Sequence, residues 1–311
     1  MGLFTKPEVT ILKEDSDAQE YLERLESFEQ TVTGDIKKRV DQEITNTKYG
    51  IAGENQILFE LKNSGLDLVV LHDIKLVSPK DSTYPAQIDF IVITPYKNVF
   101  IECKNMYGNI EVDSQGNFTR TVSHGKYYKK EGIYSPITQN ERHMQVYKEV
   151  REGDNKKGLI GLAFEKTFND YNMSLVVLAN PKTVLNDRYA SREVKAQIIR
   201  ADQLTSTLRN VKSDIKSSHK EMVRLGEKIL SYNHQDRTDY LARYQKLVEE
   251  SNDSEITCEK APLQENKTEI CEKICPRCGK PLVMRIAKKG DHVGEKFWGC
   301  SGFPHCRYIE K

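Results

Sequence analysis

Three charged residues sit where apolar ones would be expected. Asp89 lies in Gln87-Ile88-Asp89-Phe90-Ile91-Val92-Ile93, and Glu102 and Lys104 lie in Val99-Phe100-Ile101-Glu102-Cys103-Lys104. A charge inside such a run is unfavourable unless it is paired or used. Residues two apart on a strand share a face, so Glu102 and Lys104 project together while Cys103 points into the core. Pro95-Tyr96-Lys97-Asn98 has turn composition and predicts a hairpin between the two runs. One register sets Asp89 opposite Glu102 and another sets it opposite Lys104, and both gather the three charges. A slip of one residue would send Asp89 to the other face. Two carboxylates and a lysine suit phosphodiester hydrolysis. Asp89 and Glu102 would hold Mg²⁺ or Mn²⁺, the ion would polarise a phosphate oxygen and activate water, and Lys104 would steady the developing charge. Glu54, on a preceding helix, would be a further ligand or supporting base. The same spacing also suits a structural Glu102–Lys104 ion pair.

A second constellation is built from thiols. Cys275-Pro276-Arg277-Cys278-Gly279 is followed by Cys300 and Cys306, and two such pairs predict a tetrahedral, structural zinc site. Cys271 and His305 are substitute ligands by type, but their positions, four before Cys275 and directly before Cys306, read as bystanders. The chain has seven cysteines, an odd number that argues against a disulfide framework and fits a reducing compartment. So short a segment buries little apolar surface, so the metal would supply much of its folding free energy.

The wording CPRCGKPLVMRIAKKGDHVGEKFWGCSGFPHCRYI resembles the C-terminal zinc ribbons of bacterial type IA topoisomerases. That resemblance implies binding of single-stranded DNA. Phe297, Trp298, Phe303 and Tyr308 can stack on bases, and Arg285, Lys288, Lys289, Lys296 and Arg307 can attract phosphates. Phe297 or Trp298 is expected to be half core. Upstream, Gly50-Ile51-Ala52-Gly53-Glu54, Gln87-Ile88-Asp89-Phe90-Ile91-Val92, Phe100-Ile101-Glu102-Cys103-Lys104-Asn105 with Gly108, and Pro136-Ile137-Thr138-Gln139 resemble the NERD (nuclease-related) domain over residues 49–204. This family is assigned to the PD-(D/E)xK, restriction-endonuclease-like nucleases. The resemblance implies a catalytic set of Glu54, Asp89, Glu102 and Lys104, with Gln139 as the family's downstream glutamine. One position departs: family members usually carry Glu where this chain has Gln87.

Elements must position these groups. Tyr21, Leu22, Leu25 and Phe28 recur at helical intervals within 15–48, and a helix through Gly53 to Leu61 stops at Asn63-Ser64-Gly65. Strands are expected over 68–77, 87–94, 99–104 and 173–179, a hairpin over 110–122, and helices over 140–151 and within 213–250. The expected fold is mixed α/β: a PD-(D/E)xK core with flanking helices and a small C-terminal zinc ribbon. The expected division is a helical N-terminal segment 1–48, a nuclease-like domain 49–204, a helical segment 205–250, an acidic linker 251–272 and the ribbon 273–311.

Composition excludes several classes. Among 311 residues, 47 Lys and Arg against 46 Asp and Glu give a net charge of +1, so a globally basic nucleic-acid coat is ruled out. Apolar runs are too short for a bilayer span, and no secretory pattern opens the chain, so a cytoplasmic protein without membrane contact is expected. Lys6 breaks a myristoylation motif, and no GxxxxGK[ST] sequence appears. His124 to Lys130 interleaves basic and aromatic residues, as along a DNA backbone or an exposed hairpin end. The expected function is a metal-dependent DNA nuclease tethered to single-stranded or forked DNA by the ribbon, in DNA processing or repair. The alternatives are a DNA-binding accessory protein with a vestigial nuclease fold, and a protein-interaction scaffold. RNA is not distinguished from DNA.

Overall fold

Near-continuous apolar runs build the centre of the first unit, as expected of strands covered on both faces. The computed structural model describes residues 6–83, 85–125, 127–154, 159–234, 239–259, 275–278, 280–286, 296–302 and 306–310. It divides into two units, Met1–Asn252 and Asp253–Lys311. In chain order the elements are β1 (Val9–Lys13), α1 (Asp17–Glu29), α2 (Gly34–Lys62), β2 (Leu68–Leu76), β3 (Ala86–Ile93), β4 (Asn98–Lys104), β5 (Asn109–Val112), β6 (Phe118–His124) and β7 (Tyr127–Ile133). There follow α3 (Pro136–Asp154), α4 (Leu159–Tyr171), β8 (Asn172–Leu178), β9 (Leu185–Asn186), α5 (Arg192–Lys195), β10 (Ile198–Arg200), α6 (Leu204–Asn210), α7 (His219–Leu230) and α8 (Ala242–Glu259). The last strands are β11 (Leu282–Ile286), β12 (Lys296–Cys300) and β13 (Ile309–Glu310). Among the described residues no helix is long and apolar enough to cross a membrane.

The main sheet has six strands in the order β1-β2-β3-β4-β8-β10. Its β2-β3-β4 centre is antiparallel, while β1, β8 and β10 each add in parallel. Ile57, Leu58 and Leu61 of α2 and Leu204 and Leu208 of α6 pack on one face against Val70, Phe90, Val92, Val99 and Ile101. Met144 and Tyr147 of α3, Phe168 of α4 and Met222 and Ile229 of α7 cover the other, against Val69, Leu71, Ile91 and Phe100. A second sheet, β7-β6-β5-β9, lies beside this core.

The strand alternation shifts midway along the β2-β3 pair. Val70 and Phe90 pack in the α2 layer, yet Ile74 and Ile88, an even number of residues away, pack in the opposite one. Asp73 stands at the switch with φ of 51°, a left-handed conformation that Asp tolerates better than most side chains. Asp73 itself, and the paired Lys75 and Gln87 beyond it, leave the apolar layers.

Several expectations meet a different local structure. Val9–Lys13 is a sheet strand inside the segment expected to be helical, and α2 runs unbroken across residues 48 and 49. The short alternating run of β1 carries little signal by itself and gains its ladder only from β2. The acidic stretch expected as a linker from residue 251 is helical as far as Glu259, consistent with the good helix propensity of Glu. Tyr127–Ile133 pairs with β6, and Lys129 and Lys130 form ion pairs of 2.6 and 2.8 Å with Glu131 and Glu111.

Two devices set the helices that reach the charged residues. Ser135 precedes Pro136, whose fixed φ and missing N–H suit a first helical position, and the Ser135 hydroxyl accepts from the Thr138 N–H at 3.4 Å. One turn into α3, fully buried Asn140 donates its amide to the Phe100 carbonyl at 2.8 Å and the Ser174 hydroxyl at 2.9 Å, tying the helix to β4 and β8. On the opposite face Gly53 lets α2 approach β4 closely. A Cβ there would stand 2.6 Å from Asn105 Cβ and 3.1 Å from Cys103 Sγ. Ala normally favours a helix by about 1 kcal/mol over Gly, but overpacking costs about 1–3 kcal/mol, so the contact decides the sign. Gly53→Ala is therefore expected to lower the denaturant midpoint of unfolding; an unchanged or raised midpoint would show that α2 is free to shift.

Candidate functional site

The β3-β4 hairpin pairs Phe90 with Ile101, Ile91 with Phe100 and Ile93 with Asn98. Continued by one residue, that register sets Asp89 opposite Glu102, the first of the two expected arrangements. Asp89 Oδ2 accepts the Cys103 N–H at 2.7 Å. Lys104 Nζ donates to Glu102 Oε1 at 2.5 Å and to Gln139 Oε1 at 3.2 Å, so Gln139 of α3 joins the hairpin charges. Glu54 arrives from α2, and its Oε2 lies 3.0 Å from His72 Nε2. His72 Nδ1 is 2.7 Å from the Glu14 carbonyl oxygen, which can only accept, and the ring stacks on Phe90 at 4.5 Å. Asp89, Gln87, Lys75, Gln139 and His143 line a cavity of about 620 Å³.

Burial and like charge dominate the electrostatics. Burial, then Glu102 and Glu54, push the Asp89 carboxyl well above the usual carboxylate range. Burial likewise raises Glu102, against the pull of Lys104. Lys104 is held above its ordinary value because, although burial works the other way, the Glu102 and Asp89 charges outweigh it. Burial and the Lys104 charge lower His143 to about 4. For His72 burial is outweighed by the Glu54 hydrogen bond and the Glu14 carbonyl, and its pKa is raised. Burial lifts the Cys103 thiol well above its ordinary value. That suits a packing residue rather than a nucleophile.

The carboxylates fit a cation by their donor chemistry. Glu102 is 1% exposed, and its Oε2 has no hydrogen-bond partner. Such a buried oxygen is costly unless an ion or a donor reaches it. The ligand atoms are spread, however. Among the described residues, the only group of three or more acidic, His or Cys side chains whose ligand atoms all lie within 4.8 Å is the cysteine cluster. Gln87 donates to Asp73 Oδ1 at 2.8 Å. A Glu at that position would bring a second carboxylate against Asp73, so the departure from the family pattern has a local use.

Two histidines escaped the sequence reading. His143 follows Gln139 by one helical turn, a spacing that puts both on one face of α3. His72 carried no signal, because its partners Glu54 and Glu14 are far away in sequence.

The second unit brings Cys275, Cys278, Cys300 and Cys306 together, their sulfurs all within 4.8 Å. Thiolates 2.3 Å from one zinc in a tetrahedron stand about 3.8 Å apart, and Cys275–Cys306 and Cys278–Cys300 are 3.7 and 3.3 Å apart. The four cysteines thus form a zinc-binding site. Strands β11, β12 and β13 form an antiparallel sheet around it. Trp298 and Tyr308 pack against Cys275, Leu282 and Cys300, so the half-core aromatic expected of Phe297 or Trp298 is Trp298. Phe297, one residue away on β12, faces the other side and is half-buried, and Arg307 is exposed. Backbone pairing sets Arg285 opposite Phe297 and Lys296 opposite Ile286. Lys288, Lys289, Phe303, Cys271 and His305 lie outside the described residues.

Residues 49–179 match the model of the nuclease-related domain, NERD, and residues 272–311 match the model described as topoisomerase DNA binding C4 zinc finger. The chain therefore holds a NERD domain and a topoisomerase-type four-cysteine ribbon. The ribbon region is similar to DNA topoisomerase 1 of Mycoplasma genitalium, 52% identical over 42 residues, which is 14% of this chain and 6% of that protein. It is also similar to DNA topoisomerase 1 of Mycoplasma pneumoniae, 53% identical over 36 residues, 12% of this chain and 5% of that protein. The chain thus spans only a small part of the length of these relatives. No solved structure matches it.

Two outcomes are expected from this geometry. A carboxyl whose pKa is raised by folding binds more protons in the folded state, so its contribution falls as pH rises from the unfolded value of about 4 through the folded one. In buffer without added divalent ions, Asp89→Asn should raise the melting temperature at pH 8, with the gain shrinking toward pH 4; a pH-independent difference would remove the crowding of Asp89 as its cause. Cys300→Ser should abolish zinc bound at one ion per chain and remove hydrogen-exchange protection from β11–β13 while β2–β4 keep theirs, as measured by metal analysis and mass spectrometry.

Proposed function

From the premise that this chain joins a nuclease-related domain to a topoisomerase-type zinc ribbon, we propose that it is a divalent-metal-dependent nuclease acting on DNA. The carrying observation is the buried Glu102 Oε2, without a hydrogen-bond partner, beside Lys104, Gln139 and Asp89. In this reading Asp89 and the Glu102-Cys103-Lys104 triplet are the PD-(D/E)xK elements. Asp89 and Glu102 would hold the ion, Glu102 directly and Asp89 through a water. When bound, Mg²⁺ or Mn²⁺ supplies Lewis-acid polarisation of the phosphate and a water of lowered pKa.

The protein's own groups do the rest. Lys104, kept protonated by its carboxylate neighbours, steadies charge on the phosphate oxygens and orients the attacking water. Gln139 holds the Lys104 ammonium in place. Glu54, fixed by His72, supports the site from α2. The nuclease-like domain spans 49–204, beyond the matched 49–179, and the ribbon spans 273–311 after an acidic connection. The ribbon binds single-stranded or forked DNA through Phe297, Arg307 and the basic positions Arg285, Lys288, Lys289 and Lys296. Trp298 and Tyr308 contribute from its core edge. Such a tether raises the local concentration of substrate at the carboxylates. In this reading the protein acts in DNA processing or repair within the cytoplasm.

The spread of the carboxylate ligand atoms favours a second reading, in which the fold binds DNA without cutting it. One experiment separates them: zinc-replete protein is incubated with labelled single-stranded, duplex and forked DNA in Mg²⁺, in Mn²⁺ and without either, beside Asp89→Ala and Lys104→Ala. Ion-dependent cleavage that falls by about 100-fold or more in both variants is expected. Intact substrates with equal binding by all three proteins would establish the second reading.

A further inference from the structure

Among the described residues only three buried side-chain polar atoms lack a hydrogen-bond partner: Glu102 Oε2, His143 Nδ1 and Asn140 Oδ1. The first two face each other at 3.5 Å without a hydrogen bond between them. Their side chains are 2% and 14% exposed, so bulk water does not serve as the missing partner for either. Two uncompensated buried atoms at van der Waals distance are a costly arrangement. A third species between them would satisfy both at once.

The spacing suits an ion. Two ligand atoms each about 2.1–2.2 Å from one metal, at roughly 90–110°, lie about 3.0–3.6 Å apart, and the observed separation is 3.5 Å. The arrangement is also held in place. Asn140, between Gln139 and His143 on α3, is hydrogen-bonded to the Phe100 carbonyl and the Ser174 hydroxyl, so the helix cannot easily slide past β4. Glu102 Oε1 is already engaged by Lys104, which leaves Oε2 as the oxygen turned toward His143.

Resting on the nuclease reading, we propose that His143 Nδ1 and Glu102 Oε2 bind the same divalent ion, giving the site a nitrogen ligand and a preference for a first-row transition metal such as Mn²⁺ over Mg²⁺. Imidazole is a good ligand for transition metals, whereas Mg²⁺ strongly favours oxygen and keeps its waters. Asp89 completes the site through a water rather than directly, because its ligand atom does not join the other two within 4.8 Å. The nuclease thus discriminates between ions by one side chain on α3 that lies outside its carboxylate and lysine set.

The test measures binding rather than turnover. Zinc-replete full-length protein is titrated with Mn²⁺ and with Mg²⁺ by calorimetry, beside His143→Gln and Glu102→Gln, each first shown to be folded by its melting curve. The expected result is Mn²⁺ binding at least ten-fold tighter than Mg²⁺ in the wild type. In His143→Gln the Mn²⁺ affinity should fall at least ten-fold while Mg²⁺ changes less than two-fold. Substoichiometric Mn²⁺ added to unaltered protein must also broaden the His143 ring signals, a condition that needs no substitution. Equal Mn²⁺ affinity in wild type and His143→Gln, or unbroadened His143 signals, would overturn the nitrogen ligand while leaving the metal site standing. Absence of any divalent binding that Glu102→Gln removes would overturn the metal site itself, and with it both this proposal and the nuclease reading.

Discussion

A carboxylate buried at the end of β4 with one oxygen engaged and one open constrains everything around it. Glu102 sits at 1% exposure on the layer shared with Phe100, where a charge is unfavourable unless its field is answered. Lys104 answers half of it from two residues along the same strand. The rest must come from neighbouring elements, and each approaches by its own device. Gly53 brings α2 near enough for Glu54 to take part, the β3 register brings Asp89, and Asn140 fixes the distance at which α3 presents Gln139 and His143. Remove any one of these and the remaining charges crowd or separate. Burial first, and then the neighbouring carboxylates, raise the pKa values of Asp89 and Glu102.

Much of this was legible before the fold was known, for identifiable reasons. Period-two alternation puts Glu102 and Lys104 on one face, and a four-residue turn sets which residue of β4 Asp89 meets, because a hairpin makes its register a local property. The helix end at Asn63-Ser64-Gly65 is local too, and Gly65 adopts φ of 63° there. The parts that stayed hidden are those held by distant partners. β1 is a strand only because β2 lies beside it, and His72 matters only because Glu54 and the Glu14 carbonyl converge on it. His143 was within reach of helical spacing from Gln139, but a lone histidine on a charged helix gives no reason to choose it.

The ribbon follows a different physical logic. Among the described residues its core cluster consists of two cysteines and one leucine, with Trp298, Cys306 and Tyr308 leaning against it. So small a set supplies little hydrophobic stabilisation, which makes the metal the organising element. That same economy divides the aromatics. Strand alternation commits Trp298 to the cysteine side and turns Phe297 away, so two aromatics one residue apart on β12 face different environments.

The left-handed residue Asp73 lets one pair of strands belong to two environments. On its near side β2 and β3 feed Val70 and Phe90 into the layer under α2, and on its far side Ile74 and Ile88 pass to the opposite layer. The face vacated beyond Asp73 is taken over by Lys75 and Gln87, which line a hollow between the sheet and the helices instead of packing in an apolar layer. The hairpin therefore acts as a swivel, exchanging core for cleft along its own length without an additional element. Polar substitutions at Lys75 or Gln87 beyond the swivel act on the cleft, and the same change at Val70 or Phe90 acts on the packing of the sheet.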